Sequence, residues 1–175
     1  MAGPPDEPAG VIVVGLGNPV LGDDGVGWRV ADEVERRLEA QTPAVGAGNV
    51  TVERLGVGGI RLMEVISDHE AAILVDAAEF AGRTPGEVRT WRLDEIEFHA
   101  GGHLDSIHDA SLETALDLGR QMGAALPDRI DVVTIQARAT DVFGEELSPE
   151  VETAVAVAAD EVMRLLAARD DLAAR

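Results

Sequence analysis

The sequence predicts an α/β fold in three layers, α/β/α, with a mostly parallel, twisted sheet of about five strands and helices on both faces. Two continuous apolar runs, 11–14 and 71–75, are typical of strands that are buried on both faces. Segments with helical periodicity separate the strands, which favours a sheet covered by helices. We expect a single domain over residues 10–168, between a disordered tail at 1–9 and a frayed end at 169–175.

The first half of the chain alternates strand and helix patterns. After the strand at 11–14, apolar residues recur at every fourth position and predict a helix over 24–38. These residues are Val26, Val30, Val34 and Leu38. Alternating side chains predict a strand over 50–55, and a glycine-rich turn leads from it into a short helix over 60–66. The second apolar run then ends at Asp76.

The second half continues the alternation. Residues 87–93 predict a strand that we expect at an edge of the sheet, and a helix and a buried strand follow over 108–122 and 130–135. Ser148 and Pro149 mark the start of the last helix, because serine is a favoured N-cap and proline a favoured first helical residue.

Composition and charge exclude several classes of partner. The chain has 14 basic and 33 acidic residues, a formal charge of −19. Nucleic acids and anionic membranes require a basic surface, so we expect neither as a partner. The absence of cysteine excludes disulfides, thiolate metal sites and cysteine nucleophiles. No signal peptide or membrane-spanning segment is visible, so we expect a cytoplasmic protein, and we expect a monomer.

The stretch from Val11 to Gly27 carries the first candidate site. Its glycines invite a dinucleotide-binding interpretation, but the third glycine of that fingerprint is replaced by Val20, and the two acids that follow would repel a pyrophosphate. These acids, Asp23 and Asp24, lie at the start of a predicted helix, where an acid is favoured as a cap. Spacing alone leaves open which of the two takes part in chemistry.

Asp76 and a histidine supply possible companions for these acids. In α/β sheets ligands bind beyond the carboxyl ends of the strands, and the acids after the first strand and Asp76 point to the same edge. His99 and His103 flank two glycines, whereas His108 begins a predicted helix on the loop that returns over this edge. Two carboxylates and an imidazole suit nickel, zinc or iron better than magnesium or calcium.

Four stretches, taken in order, resemble the hydrogenase maturation proteases, the endopeptidases that process the large subunit of nickel–iron hydrogenases. They are GLGNPVLGDDGVG at 15–27, ILVDA at 73–77, IHDASL at 107–112 and FGEELSPEVETAV at 143–155. The resemblance implies that Asp24, Asp76 and His108 bind nickel and that Asp23 has a local structural role. It also implies removal of a C-terminal extension from the large-subunit precursor after nickel insertion, with the nickel supplied by the substrate and replaceable by another divalent metal.

Two mechanisms fit such a site. A metal ion polarises the scissile carbonyl or activates water, or a carboxylate, for which Asp24 is the candidate catalytic residue, acts as general base while nickel anchors the substrate. No complete zinc-protease motif is present, which favours a metal borrowed from the substrate.

One departure from the family concerns the turn after the second strand. The family often has Asp-Gly-Gly-Thr there, whereas this chain has RLGVGG at 54–59. We expect Gly56, Gly58 and Gly59 to form a turn that faces the substrate. The altered turn motivates an alternative hypothesis, a nickel-sensing binding module or chaperone of the same fold without protease activity.

Overall fold

The computed structural model describes residues 10–40, 49–56, 58–93 and 109–173. In these ranges five strands form one sheet in the order β2-β1-β3-β5-β4. The strands are β1 (Val11–Leu16), β2 (Val50–Leu55), β3 (Ala71–Ala78), β4 (Val88–Arg92) and β5 (Arg129–Gln136). Neighbouring strands are parallel except for β4, which lies antiparallel to β5 at the edge. The predicted edge strand and mostly parallel sheet are therefore confirmed.

Helices cover both faces of this sheet, as predicted. They are α1 (Val26–Ala40), α2 (Gly59–Ile66), α3 (Asp109–Met122) and α4 (Pro149–Ala173). One core cluster joins α1 and α4 to one face, and a second joins α2 and α3 to the other. Among the described helices, none is long and apolar enough to span a bilayer. The predicted tail at 1–9 lies outside the described residues.

Two glycines allow α1 to start directly against the sheet. A Cβ on Gly27 would stand 2.2 Å from the carbonyl oxygen of Leu16 and 2.5 Å from that of Val75. A Cβ on Gly15 would stand 2.3 Å from the carbonyl oxygen of Gly27. Gly27 lies inside α1, where glycine is less favourable than most residues, so its close approach to the sheet lowers the intrinsic stability of the helix. The result is that the start of α1 lies against the carboxyl ends of β1 and β3.

Two predicted boundaries are wrong at this edge. The helix expected from Asp24 begins as a 3-10 helix, Gly22–Gly25, and becomes an α-helix only at Val26. The strand expected to end at Asp76 continues to Ala78, because the ladder with β5 pairs Ala77 and Ala78 with the last residues of that strand. Local apolar pattern indicated the start of this strand, but its end depends on pairing with a distant segment.

Replacement of Gly27 by alanine tests the close contact between α1 and the sheet. Because the added Cβ meets backbone oxygens of two strands, we expect Gly27→Ala to lower the free energy of unfolding by about 3 kcal/mol, the upper end of the usual cost of overpacking. Gly144→Ala is the control, since a Cβ there meets nothing within 4 Å. Urea denaturation of both variants measures the difference, and equal stabilities would contradict the close contact.

Glu161 on α4 gives the fold a pH dependence. Its carboxylate accepts hydrogen bonds from Arg164 and from Thr90 of β4, each at 2.6 Å. The Arg164 bond lowers the pKa of Glu161 to about 2, with a further contribution from Thr90 against an opposing effect of burial. A lowered pKa stabilises the fold above the ordinary carboxyl pKa of about 4.3, and that stabilisation is lost as the pH falls towards 2.

We therefore expect Glu161→Gln to be less stable than the wild type at pH 7, by up to about 1 kcal/mol, which is typical of a partly exposed pair. The difference should shrink between pH 5 and pH 2 as the wild-type carboxylate is protonated, roughly over the range set by the two pKa values. Urea titrations at a series of pH values measure it. A stability difference that stays constant over this range would refute the role of the Glu161 charge.

Candidate functional site

The carboxyl edge of the parallel strands brings together the predicted acids. The 3-10 helix that carries Asp23 and Asp24 follows β1 after a five-residue loop and contacts β3, the strand of Asp76. Asp76 lies directly beyond Val75, whose carbonyl oxygen stands at the start of α1. The edge expected to hold the chemistry thus carries three carboxylates on two neighbouring elements.

Asp24 is partly accessible and is held by the loop in front of it. The backbone N–H of Asn18 donates a hydrogen bond of 2.7 Å to its Oδ2. Gly17 makes this approach possible, since its φ is +120° and a Cβ there would lie 1.8 Å from the carbonyl oxygen of Asp24. The loop therefore orients a carboxylate that remains partly exposed to solvent.

Asp23, unlike Asp24, is buried, with 4% of its surface exposed to solvent. Its Oδ1 accepts a bond of 2.6 Å from the backbone N–H of Ser148, and its Oδ2 accepts bonds of 2.9 Å from the backbone N–H of Arg138 and the hydroxyl of Ser148. The 3-10 helix has no side-chain cap, so the capping role that spacing left open for one of the two acids is not the role of Asp23. Asp23 instead binds segments 115 and 125 residues away. Ser148 still precedes α4, and its hydroxyl donates to Asp23.

Asp76 is also buried, at 4% exposure, and it lies within β3 rather than after it. It pairs in register with Thr134 of β5. Alternation along the strands places it on the sheet face that α2 and α3 cover, the face of Leu74 and Leu16. A buried carboxylate costs folding free energy unless hydrogen bonds or a cation compensate for its lost hydration. Asp76 is therefore a buried acid in a mostly apolar layer.

The glycine turn after β2 adjoins the loop that holds Asp24. The N–H of Gly17 donates to the carbonyl of Leu55 at 3.1 Å, and a Cβ on the exposed Gly56 would have Gly17 as its neighbour at 3.8 Å. Gly58 and Gly59 begin α2, and Gly59 has a φ of +61°. The turn therefore lies at the same edge of the sheet as Asp24.

Sequence reasoning missed two residues that fix this turn. Trp28 donates from its indole N–H to the carbonyl of Leu55 at 3.2 Å. Arg54 pairs with Asp32 and Glu35 of α1 at 2.6 and 2.7 Å. The helical periodicity of α1 gave no signal for either contact, because both cross to a strand more than 15 residues away. Arg54 thus serves the packing of β2 on α1.

The predicted imidazole ligand, His108, lies outside the described residues, as do His99, His103 and Val57. Within the ranges that are described, no three histidine, aspartate or glutamate side chains are close enough to hold a metal ion. The nickel-binding set of Asp24, Asp76 and His108 therefore stays a prediction. Carboxylate and imidazole donors are suitable ligands for that metal.

Comparisons with known proteins agree on one family. The family model for hydrogenase maturation protease matches residues 28–165. The hydrogenase expression/formation protein HupD of Rhodobacter capsulatus is 30% identical over 165 residues, covering 94% of this chain and 75% of the relative. HupD of Rhizobium leguminosarum is 26% identical over 164 residues, covering 94% and 77%.

Solved structures show the same fold. The hydrogenase-maturating endopeptidase HybD from E. coli superposes with a TM-score of 0.71 at 21% identity, covering 91% of this chain and 93% of the other. A hydrogenase 2 maturation peptidase from a Thaumarchaeota archaeon gives a TM-score of 0.59 at 28% identity, covering 89% and 97%. The predicted three-layer α/β/α fold is confirmed by these likenesses.

Replacement of Asp23 by asparagine tests its structural role. An amide has one acceptor oxygen and would turn its NH₂ group towards a backbone N–H, so at least one charge-assisted bond is lost in a buried place. We expect Asp23→Asn to lower the free energy of unfolding by about 2–4 kcal/mol. Asp24→Asn is the matched control, because its amide oxygen can still accept from Asn18. Urea denaturation measures both, and equal losses would contradict the division between the two acids.

Proposed function

The chain belongs to the hydrogenase maturation protease family, and we propose that it removes the C-terminal extension of a nickel–iron hydrogenase large-subunit precursor after nickel has been inserted. In this proposal Asp24, Asp76 and His108 recognise the nickel that the substrate carries. The observation that supports it is that the 3-10 helix of Asp24 contacts β3, the strand of Asp76, at the carboxyl edge of β1 and β3. Carboxylates there form a hard, anionic site that suits a metal only partly coordinated by another protein.

The course of α3 supports the inclusion of His108. The edge strand β4 ends where Arg92 pairs with Asp131, near the start of β5. The connection from α3 into β5 is at that same amino edge, where the N–H of Asp68, just before β3, donates to the carbonyl of Ala125. The 14 residues of α3 span about 21 Å at 1.5 Å per residue, which is close to the roughly 26 Å length of β5. A helix of this length that ends at the amino edge starts towards the carboxyl edge, and His108 immediately precedes it in the sequence.

Asp24 and Asp76 differ in their accessibility to solvent, which suggests different tasks. Asp24 is partly exposed on the 3-10 helix, whereas Asp76 is buried within a strand. A general base must reach the water that attacks the scissile carbonyl, so Asp24 is suited to accept that proton while Asp76 holds position beside the nickel. The water oxygen then forms the new carboxyl group of the mature subunit, and the amide nitrogen leaves as the amine of the extension.

The first test is to incubate the purified protein with the precursor of each hydrogenase large subunit of the host, in nickel-loaded and in nickel-free form. We expect a mass decrease in the nickel-loaded precursor that equals the C-terminal extension, and no change in the nickel-free form. The alternative hypothesis, a nickel-sensing module without protease activity, predicts binding to the loaded precursor with no change in mass. Uncleaved precursor from every large subunit would contradict the proposed protease.

Asp24→Asn separates catalysis from folding. The amide keeps the bond from Asn18 but neither accepts the proton of the water nor contributes charge to the nickel, so we expect at least a roughly 100-fold loss of cleavage rate, the usual scale for a general base. Because the bond from Asn18 is kept, the variant should still fold, and a cooperative thermal unfolding transition will show this. Asp128→Asn, an exposed acid just before β5 at the opposite edge, is the control and should cleave normally. Full activity of Asp24→Asn would refute the assigned role.

A further inference from the structure

An exposed apolar patch lies beside the candidate site and is not explained by the fold. Phe143 is 86% exposed and Val142 is 58% exposed, on the loop that connects β5 to α4. Val20, in the loop between β1 and the 3-10 helix, is 39% exposed. We call these three residues the apolar patch. Exposed aromatic side chains that adjoin other apolar side chains are typical of interaction sites rather than of ordinary surface.

Hydrogen bonds hold the two loops of the patch together. The N–H of Gly22 donates to the carbonyl of Gly144 at 2.7 Å, and the N–H of Gly144 donates to the carbonyl of Val20 at 3.0 Å. Arg29 of α1 donates to the carbonyl of Glu145 at 3.1 Å. The backbone directly after Phe143 is therefore bonded to two other elements, while the side chain of Phe143 is largely exposed. A binding residue held in this way loses little conformational freedom when a partner covers it.

The patch is also continuous with the candidate site. Asp23 binds Arg138 and Ser148, which lie at the two ends of the loop that carries Phe143. Asp24 is the residue that directly follows Asp23 in the chain. Thr140, on the same loop, donates from its N–H and its hydroxyl to Glu79, just beyond β3. A partner seated on the patch is thus held on the same set of bonded elements that carries Asp24 and Asp76.

Charge determines which kind of partner fits. The exposed residues around Phe143 include Asp141, Glu145 and Glu146, and the chain as a whole carries a charge of −19. A second copy of this chain would bring two acidic rims together, and like charges in an interface cost free energy. A partner segment with apolar side chains flanked by basic residues would complement both features.

We propose that the apolar patch is the docking site for the protein substrate, and that it binds a segment of the precursor with apolar side chains and flanking lysines or arginines. This inference rests on the proposed function, because the precursor is the occupant to which it commits. The patch supplies binding that does not depend on nickel, next to the acids that recognise nickel. Phe143 is then the central anchor, since exposed aromatic residues dominate interface energetics.

The test compares Phe143→Ala with the wild type in binding and in cleavage of the nickel-loaded precursor. We expect KM and the Kd for the precursor to rise about 30-fold, which is the scale of a truncated aromatic anchor, with kcat within about twofold of the wild type because Phe143 takes no part in the chemistry. Met122→Ala is the matched control: Met122 is 74% exposed but ends α3 at the opposite edge of the sheet. Its KM should equal that of the wild type.

The acidic rim is tested by Glu145→Gln/Glu146→Gln. We expect the wild type to bind the precursor more weakly in 0.5 M than in 0.05 M sodium chloride, because the higher salt screens the attraction between exposed charges that are more than a few ångströms apart. We expect the binding of the double variant to depend much less on the salt concentration. The bond from Arg29 is unaffected, since it involves the backbone of Glu145. Equal salt dependence in both proteins would overturn the proposed basic flanks.

The outcomes separate the two proposals. If the wild type cleaves the precursor and Phe143→Ala has an unchanged KM and Kd, the docking site is wrong and the protease stands. If the wild type binds without cleavage and Phe143→Ala loses binding, the docking site is supported and the protease is wrong. Absence of both binding and cleavage overturns both. A wild-type dimer in light scattering that Phe143→Ala converts to a monomer would make the patch a self-association surface and overturn docking of the substrate there.

Discussion

The carboxylate of Asp23 is the interaction on which the carboxyl edge depends. It accepts hydrogen bonds from Arg138, just beyond β5, and from Ser148, directly before α4, and it belongs to the 3-10 helix that follows β1. Three segments that are distant in sequence therefore meet at one buried charge. Charge-assisted bonds in a place of low dielectric are stronger than bonds between neutral groups, but they destabilise the fold when one partner is missing. This side chain therefore connects the loops of the candidate site, which further backbone hydrogen bonds also hold together.

Asp23 and Asp24 are adjacent in the sequence but have different roles in the structure. Asp23 is buried and accepts hydrogen bonds from backbone donors, whereas Asp24 is partly exposed and accepts a hydrogen bond from the backbone N–H of Asn18. Consecutive residues leave the backbone in different directions, so one acid of the pair can hold the edge while its neighbour faces the substrate. The glycines at 15, 17 and 27 make this possible, since each permits an approach of backbone to backbone that a Cβ would prevent. They serve packing, and the dinucleotide interpretation of the same glycines has no support in their contacts.

The sequence pattern correctly predicted the elements whose bounds depend on neighbouring residues. The strand over 50–55 was predicted to the residue, and the serine and proline at 148 and 149 correctly located the start of the last helix. The pattern failed where a distant segment decides. Asp76 lies inside β3 because β5 extends the ladder, and Asp23 is an anchor because residues 115 and 125 positions away supply its donors. Burial of a charge has no periodic signature in sequence. The carboxylates at the edge were predictable as residues, and the resemblance implied a local structural role for Asp23, but its distant partners Arg138 and Ser148 were not predictable.

Two kinds of recognition at one edge would explain how such a protease discriminates between precursors. Specificity is a difference between affinities, so contacts shared by loaded and empty precursor contribute affinity without discrimination. Under the proposed function, the apolar patch makes shared contacts and the acids make the contact that only the nickel-loaded form offers. Linking the two on one rigid frame makes the second contact effectively intramolecular, so a weak interaction with nickel suffices to select the loaded form. The patch must then be small, because a large apolar surface would retain the empty precursor as firmly as the loaded one. A single phenylalanine with two valines, bordered by acids, is consistent with that limit.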